Sequence, residues 1–252
     1  MNYLRLIVSS LILAYGISYS KYYTFYQWIS LFIVSFFLSL FFLYLFYLFM
    51  NYFSKRKKFK YSIKGLRIVF KKKYFDLKKE EFVSITKIFP IDFLITFIFI
   101  LATNGFIFPI LTYNFKEEPL NSLKQNISYK EIVQTLIYSL FSVLIFYLFV
   151  TYLFSQNWFL VELLSLIRRI ILVLLLTYLI PWSYLLSPLA NLIKAEFEES
   201  FISDKFIFIK KSLYLAYLAL AFFIFSLSYI PNPIISFIFS LIASLLLLLI
   251  IL

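Results

Sequence analysis

The sequence predicts an all-α, polytopic bundle of transmembrane helices, one membrane domain over residues 1–252, with about seven spans, the N-terminus inside and the C-terminus outside. Three observations predict it. Hydrophobic residues make up 63% of the chain and aromatic ones 23%, with a mean hydropathy of +0.93. Charged residues fall to 14%, against roughly 25% in soluble domains. A soluble fold of this length buries about three quarters of its surface and still needs polar side chains to coat the rest. The apolar residues also lie in runs close to the ~20 that carry a helix across ~30 Å of hydrocarbon. Finally, the 24 Lys and Arg outnumber the 12 Asp and Glu and gather between the runs, where positive charge sets orientation.

The first run covers about 3–20 and the second about 26–53. The first lacks a small-residue cleavage site and a second run follows at once, so it reads as a span and not as a signal peptide. Between Ser54 and Lys87 the composition turns basic, through KRKKFKYSIKGLR and KKKYFDLKKEE. This 54–87 loop is expected inside, and it places Arg5 and the N-terminus on the same face. Lysines interleaved with aromatics suit an inner-leaflet surface drawn to anionic lipid, and are read so in preference to a nucleic-acid contact.

A third span is expected over about 88–113, with Pro90 near its start where a helix tolerates proline. A fourth covers about 132–155, and Asn126 opens a glycosylation sequon that carries no weight alone. The apolar run from Trp158 to Ala190 is too long for one crossing. Counting from Ile170 gives a fifth span over 170–190, with Arg168 and Arg169 at the inner boundary and Trp158 to Ile167 as an interfacial lead-in. A sixth covers 206–230 and a last one 234–252, after Pro231-Asn232-Pro233. Lys210 and Lys211 then sit near the outer end of the sixth, against the charge rule.

The chain has no histidine and no cysteine. Imidazole and thiolate, which hold haem, copper, zinc and iron–sulfur centres, are missing, so no cofactor is expected in this chain. Acid–base work is left to carboxylates, lysines, hydroxyls and tyrosines. No phosphate loop, dinucleotide fingerprint or nucleophile elbow is visible. Inside a span an ionisable group costs about 2.5–3.5 kcal/mol on insertion scales, which makes Asp92 a proton-related candidate, although an interfacial carboxylate wetted by headgroups is the preferred reading. Arg168 and Arg169 read as topology anchors or as a grip on lipid phosphate or a partner's carboxylate, with Glu162 within pairing reach. Glu196, Glu198, Glu199 and Asp204 form an acidic link before the sixth span.

Helix order and several residues resemble subunit III of cytochrome c oxidase. Glu196-Phe197 followed by Phe201-Ile202-Ser203-Asp204 is similar to that family's turn between its fifth and sixth helices. Ser9, Ser10 and Leu11 ahead of Gly16-Ile17-Ser18 resemble its first helix, Asp92 stands where it carries a glutamate, and Arg168-Arg169 stand where it has basic residues. The sequence departs in lacking the histidines of the sixth and seventh helices. Lys64-Gly65-Leu66-Arg67, similar to the motif before helix three, also lies well upstream of its expected place. The resemblance implies a cofactor-free core subunit of a respiratory terminal oxidase in the mitochondrial inner membrane or, alternatively, in the plasma membrane of an AT-rich bacterium. Its partners would be the catalytic oxidase subunits, holding haem a and copper, and phospholipids in a V-shaped cleft. Asp92 would support proton uptake, and Arg67, Arg168 and Arg169 would meet lipid phosphate. Two alternatives stay open: a membrane subunit of NADH dehydrogenase, whose acidic loop AEFEESFIS resembles, and a secretion or transport protein such as the twin-arginine translocase core.

Overall fold

Four of the apolar runs fold as unbroken helices, and the other three are interrupted by the few residues able to stop them. The computed structural model describes residues 3–19, 24–65, 67–76, 81–105, 108–120, 127–154, 161–192, 196–197, 201–208, 210–227, 229–230 and 232–251. Helix α1 is Tyr3–Ser18 and α2 is Phe25–Lys55. Thr24 caps α2: its hydroxyl accepts from the Gln27 N–H while the Gln27 side chain accepts from the Thr24 N–H. Helix α4, Tyr129–Phe154, packs against α2. At 1.5 Å per residue the 31 residues of α2 and the 26 of α4 span about 46 and about 39 Å. Among the described residues these are the two helices long and apolar enough to cross a membrane. They expose Phe37, Phe41, Leu48, Ile145, Phe149 and Tyr152, the outward apolar surface that lipid would cover.

Helices α5, Val161–Leu179, and α6, Trp182–Leu192, are bent against each other by 68°. Counted as one broken span, this pair raises the crossings to three. A 3₁₀ turn, Ile202–Phe208, leads to α7, Lys211–Ser226, which packs on α8, Pro233–Ile251. A short α3, Asp92–Ala102, lies between strands. The core forms where α2, α4 and α5 meet, around Phe42, Phe46, Leu140, Tyr147, Ile170 and Tyr178. There Tyr113 Oη donates to the Leu43 carbonyl at 2.7 Å, and Tyr178 Oη donates to the Tyr113 carbonyl.

The chain is mostly helical, with two small sheets added to the expected all-α bundle. Strand β1, Phe59–Lys64, pairs antiparallel with β4, Asn114–Pro119. Its alternation buries Phe59, Tyr61 and Ile63, the period-two pattern of a half-buried strand. Strands β2, Arg67–Asp76, and β3, Glu81–Pro90, form a hairpin, and β5, Glu196–Phe197, pairs with β2 at Val69 and Ile68. The 54–87 loop is therefore largely strand.

The seven expected spans are corrected in the same way. The third, 88–113, begins as the end of β3. Pro90 closes that strand, and α3 stops after 11 residues where Asn104 (φ 53°) and Gly105 (φ 72°) take left-handed backbone. The fifth, 170–190, starts earlier and breaks before Pro181, whose ring cannot continue an α-helix. Arg168 and Arg169 accordingly lie within α5 and not at its boundary, and Trp158 falls outside the described residues. The sixth, 206–230, becomes a 3₁₀ turn and the 16-residue α7. Lys210 lies at the cap of α7 and Lys211 opens it, ahead of its apolar stretch, Leu213–Ser226. With two, or at most three, helices among the described residues long and apolar enough to cross in place of seven, an outside C-terminus no longer follows from parity.

Candidate functional site

The break between α5 and α6 frees backbone groups that lipid could not satisfy, and the chain satisfies them itself. At the end of α5, Trp182 Nε1 donates to the Leu176 carbonyl at 3.0 Å, Ser203 Oγ to the Ile180 carbonyl at 2.5 Å, and Tyr214 Oη to the Leu179 carbonyl. At the start of α6 the Ser183 N–H donates to Asp204 Oδ1 at 3.1 Å. The second carboxylate oxygen accepts from the Phe201 N–H at 2.6 Å, and Ser183 Oγ accepts from that same N–H at 2.8 Å. The Ile202 N–H donates to Asn114 Oδ1 at 2.9 Å, tying the turn to β4. A carboxylate at a helix N-terminus also faces the positive end of its dipole. Burial nonetheless dominates, and it raises the Asp204 carboxyl from 3.8 to about 6 against the lowering effect of those hydrogen bonds.

A second buried carboxylate opens α3. Asp92 is fully enclosed, and its Oδ2 lies 3.5 Å from Arg5 Nη1 on α1. Its Oδ1 accepts from the Phe93 N–H at 3.0 Å. The pair closes over Gly65, where a Cβ would overlap both Asp92 Oδ2 and Arg5 Nη1. Any larger residue at 65 would wedge the ion pair apart.

Arg168 and Arg169 occupy successive positions on α5, about 100° apart around the helix, and serve two cavities. The Arg168 guanidinium sits over the Tyr229 ring at 4.6 Å, beside a cavity of about 550 Å³ walled by Leu172, Phe222, Phe225 and Phe239. Arg169 Nη1 donates to the Ile17 carbonyl at the end of α1, at 3.2 Å. It also borders a smaller, more polar cavity of about 380 Å³ with Gln27, Ser30 and Glu162. The first cavity offers guanidinium groups at a mainly apolar, aromatic hollow that Ser165 and Ser226 also line. That combination suits an amphiphile with an anionic head.

No family model, curated protein or solved structure matches the chain. The site therefore rests on geometry alone.

The structure brings some of the sequence candidates together and separates others. Phe201, Ser203 and Asp204 converge on the helix break with Ser183, Asn114 and Tyr214. Phe197 lines an apolar cavity together with Ile91, Ile95 and Phe99 of the α3 region. Glu196 pairs with Val69 through its backbone, while its side chain, like Glu198 and Glu199, lies outside the described residues. Arg67 opens β2 opposite Pro90 and does not line the cavity of Arg168 and Arg169. Ser9 meets Thr112 hydroxyl to hydroxyl at 2.9 Å, and Ser10 Oγ donates to the Leu6 carbonyl. Arg5 as the partner of Asp92, and Gly65 as the space between them, were not legible, since nothing local in the sequence links positions 5, 65 and 92. Among the described residues no three acidic or metal-ligating side chains gather in one place.

Proposed function

We propose that the chain is a cofactor-free membrane subunit of a respiratory terminal oxidase, similar to subunit III of cytochrome c oxidase, that packs beside the catalytic subunits and holds phospholipid. The observation that carries this reading is the hollow of about 550 Å³ where Arg168 and Arg169 border aromatic walls, which fits a phosphate head above acyl chain. Haem a and copper would reside in the partners, and the membrane would be the mitochondrial inner membrane or a bacterial plasma membrane. Asp92 supports proton uptake in this reading by position: its closed pair with Arg5 fixes the start of α3, and proton exchange would require that pair to open.

A secretion or transport role is the second reading, favoured by the 68° break between α5 and α6. Transporters use discontinuous helices to present free backbone groups to substrate or ion. Here the carbonyls of Leu176, Leu179 and Ile180 are already taken by side chains, so the break is closed and the oxidase reading is preferred.

The test is affinity capture of the tagged chain from gently solubilised membranes, with subunit masses and a visible spectrum. Catalytic oxidase subunits with haem a support the proposal. A flavin and iron–sulfur complex would assign the chain to NADH dehydrogenase and overturn it, and capture with secretory precursors would favour the second reading.

A further inference from the structure

The two cavities beside α5 adjoin, since Ser165 and Arg169 line both of them. Glu162, Ser165 and Arg169 are spaced three and four apart and so run along one face of α5 from its first turn. Helical side chains tilt toward the N-terminus, which brings the long Arg169 side chain back toward the turn of Glu162. Helix ends gather around this double site. Arg169 donates to the carbonyl of Ile17 in the last turn of α1, Gln27 lies in the first turn of α2 and Glu162 in the first turn of α5. Ser226, at the end of α7, donates to the Ser236 carbonyl in the first turn of α8. Lys55 closes the far end of α2, about 42 Å from Gln27 at 1.5 Å per residue. The double site therefore stands at the headgroup level of the bilayer surface opposite that basic end.

The two parts differ in chemistry. The apolar cavity joins its aromatic walls to the guanidinium groups of Arg168 and Arg169. The polar cavity sets a carboxylate, Glu162, and the hydroxyls of Ser30 and Ser165 beside Arg169. Among the described residues Glu162 forms no ion pair. A carboxylate that shares a cavity with an arginine, without pairing to it, attracts a head that carries a cation next to its phosphate. It repels a head that is only anionic. Among the described residues no aromatic side chain lines the polar cavity, so it lacks the ring faces that hold a quaternary ammonium. A primary ammonium, with its N–H donors, suits carboxylate and hydroxyl oxygens instead.

We infer that the double site takes one ethanolamine phospholipid, with its phosphate at Arg168 and Arg169, its ammonium at Glu162 and an acyl chain along the aromatic walls. This rests on the reading of the hollow as a phospholipid site and names the head it selects, whichever complex the chain joins. In the test, the full-length protein in detergent is titrated with short-chain phosphatidylethanolamine, phosphatidylcholine and phosphatidylglycerol, and bound lipid is counted by native mass spectrometry. Phosphatidylethanolamine should bind at least about tenfold tighter than the other two, the effect of one charge-assisted hydrogen bond. Glu162→Gln, on an exposed position of the first turn of α5, should bring phosphatidylethanolamine down to the level of phosphatidylcholine. Arg168→Gln/Arg169→Gln should weaken all three. Equal affinities in the unaltered protein, a preference for either other lipid, or an ethanolamine preference that survives Glu162→Gln overturns the inference while leaving the hollow a phospholipid site. Binding unchanged in the double arginine variant places the lipid elsewhere and overturns it as well. Failure of all three lipids to bind removes the phospholipid reading itself.

Discussion

Asp92 and Asp204 are both buried carboxylates at the start of a helix, yet they are held in opposite ways. Asp92 faces a formal positive charge, Arg5, across a gap kept open by a glycine. Asp204 faces only neutral donors, the N–H groups of Ser183 and Phe201. The difference is one of what remains when the carboxylate is lost. Removing Asp92 takes a counter-charge from a cation whose side chain is 22% exposed. Removing Asp204 strands the Ser183 N–H, while the Phe201 N–H keeps Ser183 Oγ. Each clasp joins segments far apart in sequence, α1 to α3 in one case and the α5–α6 break to the turn before α7 in the other.

The largest effect is expected from Asp92→Leu. Breaking a buried ion pair costs about 3–5 kcal/mol, and the partial exposure of Arg5 places this one near the lower end. Thermal unfolding in detergent should show it, and Arg5→Leu combined with Asp92→Leu should recover much of the loss. A double variant as unstable as the sum of the single ones would remove charge pairing as the basis of the clasp. Asp204→Ala should cost about 2 kcal/mol by leaving the Ser183 N–H short of an acceptor and the Phe201 N–H with Ser183 Oγ alone, with no rescue from any arginine variant. Gly65→Ala should cost about 1–2 kcal/mol through overpacking, and its effect should shrink when Asp92 is already leucine. The smallest change is expected for Arg169→Gln, about 1 kcal/mol or less from the lost bond to Ile17, read in the same unfolding assay.

Hydropathy located what is continuous in this chain and missed what interrupts it. The runs at 3–20, 26–53, 132–155 and 234–252 lie close to α1, α2, α4 and α8, because an unbroken apolar stretch of that length reads as helix. The run at 88–113 is equally apolar, yet it holds strand, short helix and turn. Apolarity alone does not separate a strand from a helix, and Pro90, Asn104 and Gly105 decide the outcome. The alternation in Phe59, Tyr61 and Ile63 was hidden beneath the lysines that flank it. In the site, Asp92, Ser203 and Asp204 were visible as polar residues beside apolar sequence. Their partners Arg5, Gly65, Ser183 and Asn114 were not, since pairing across the fold leaves no local trace.

The contrast between the two carboxylates is tested most directly by the pH dependence of unfolding. Burial raises Asp204 from 3.8 to about 6, so between those values the folded chain keeps a proton that the unfolded chain has released. The stability tied to that proton is present below about pH 4 and is lost as pH rises through about 6. Asp204→Asn, which carries no titrating proton, should lack this component. The wild-type stability minus that of the variant should therefore fall between pH 4 and pH 6 and stay level above about 7. A difference that stays constant, or that grows as pH rises, would contradict a clasp built on a buried carboxylate held by neutral donors.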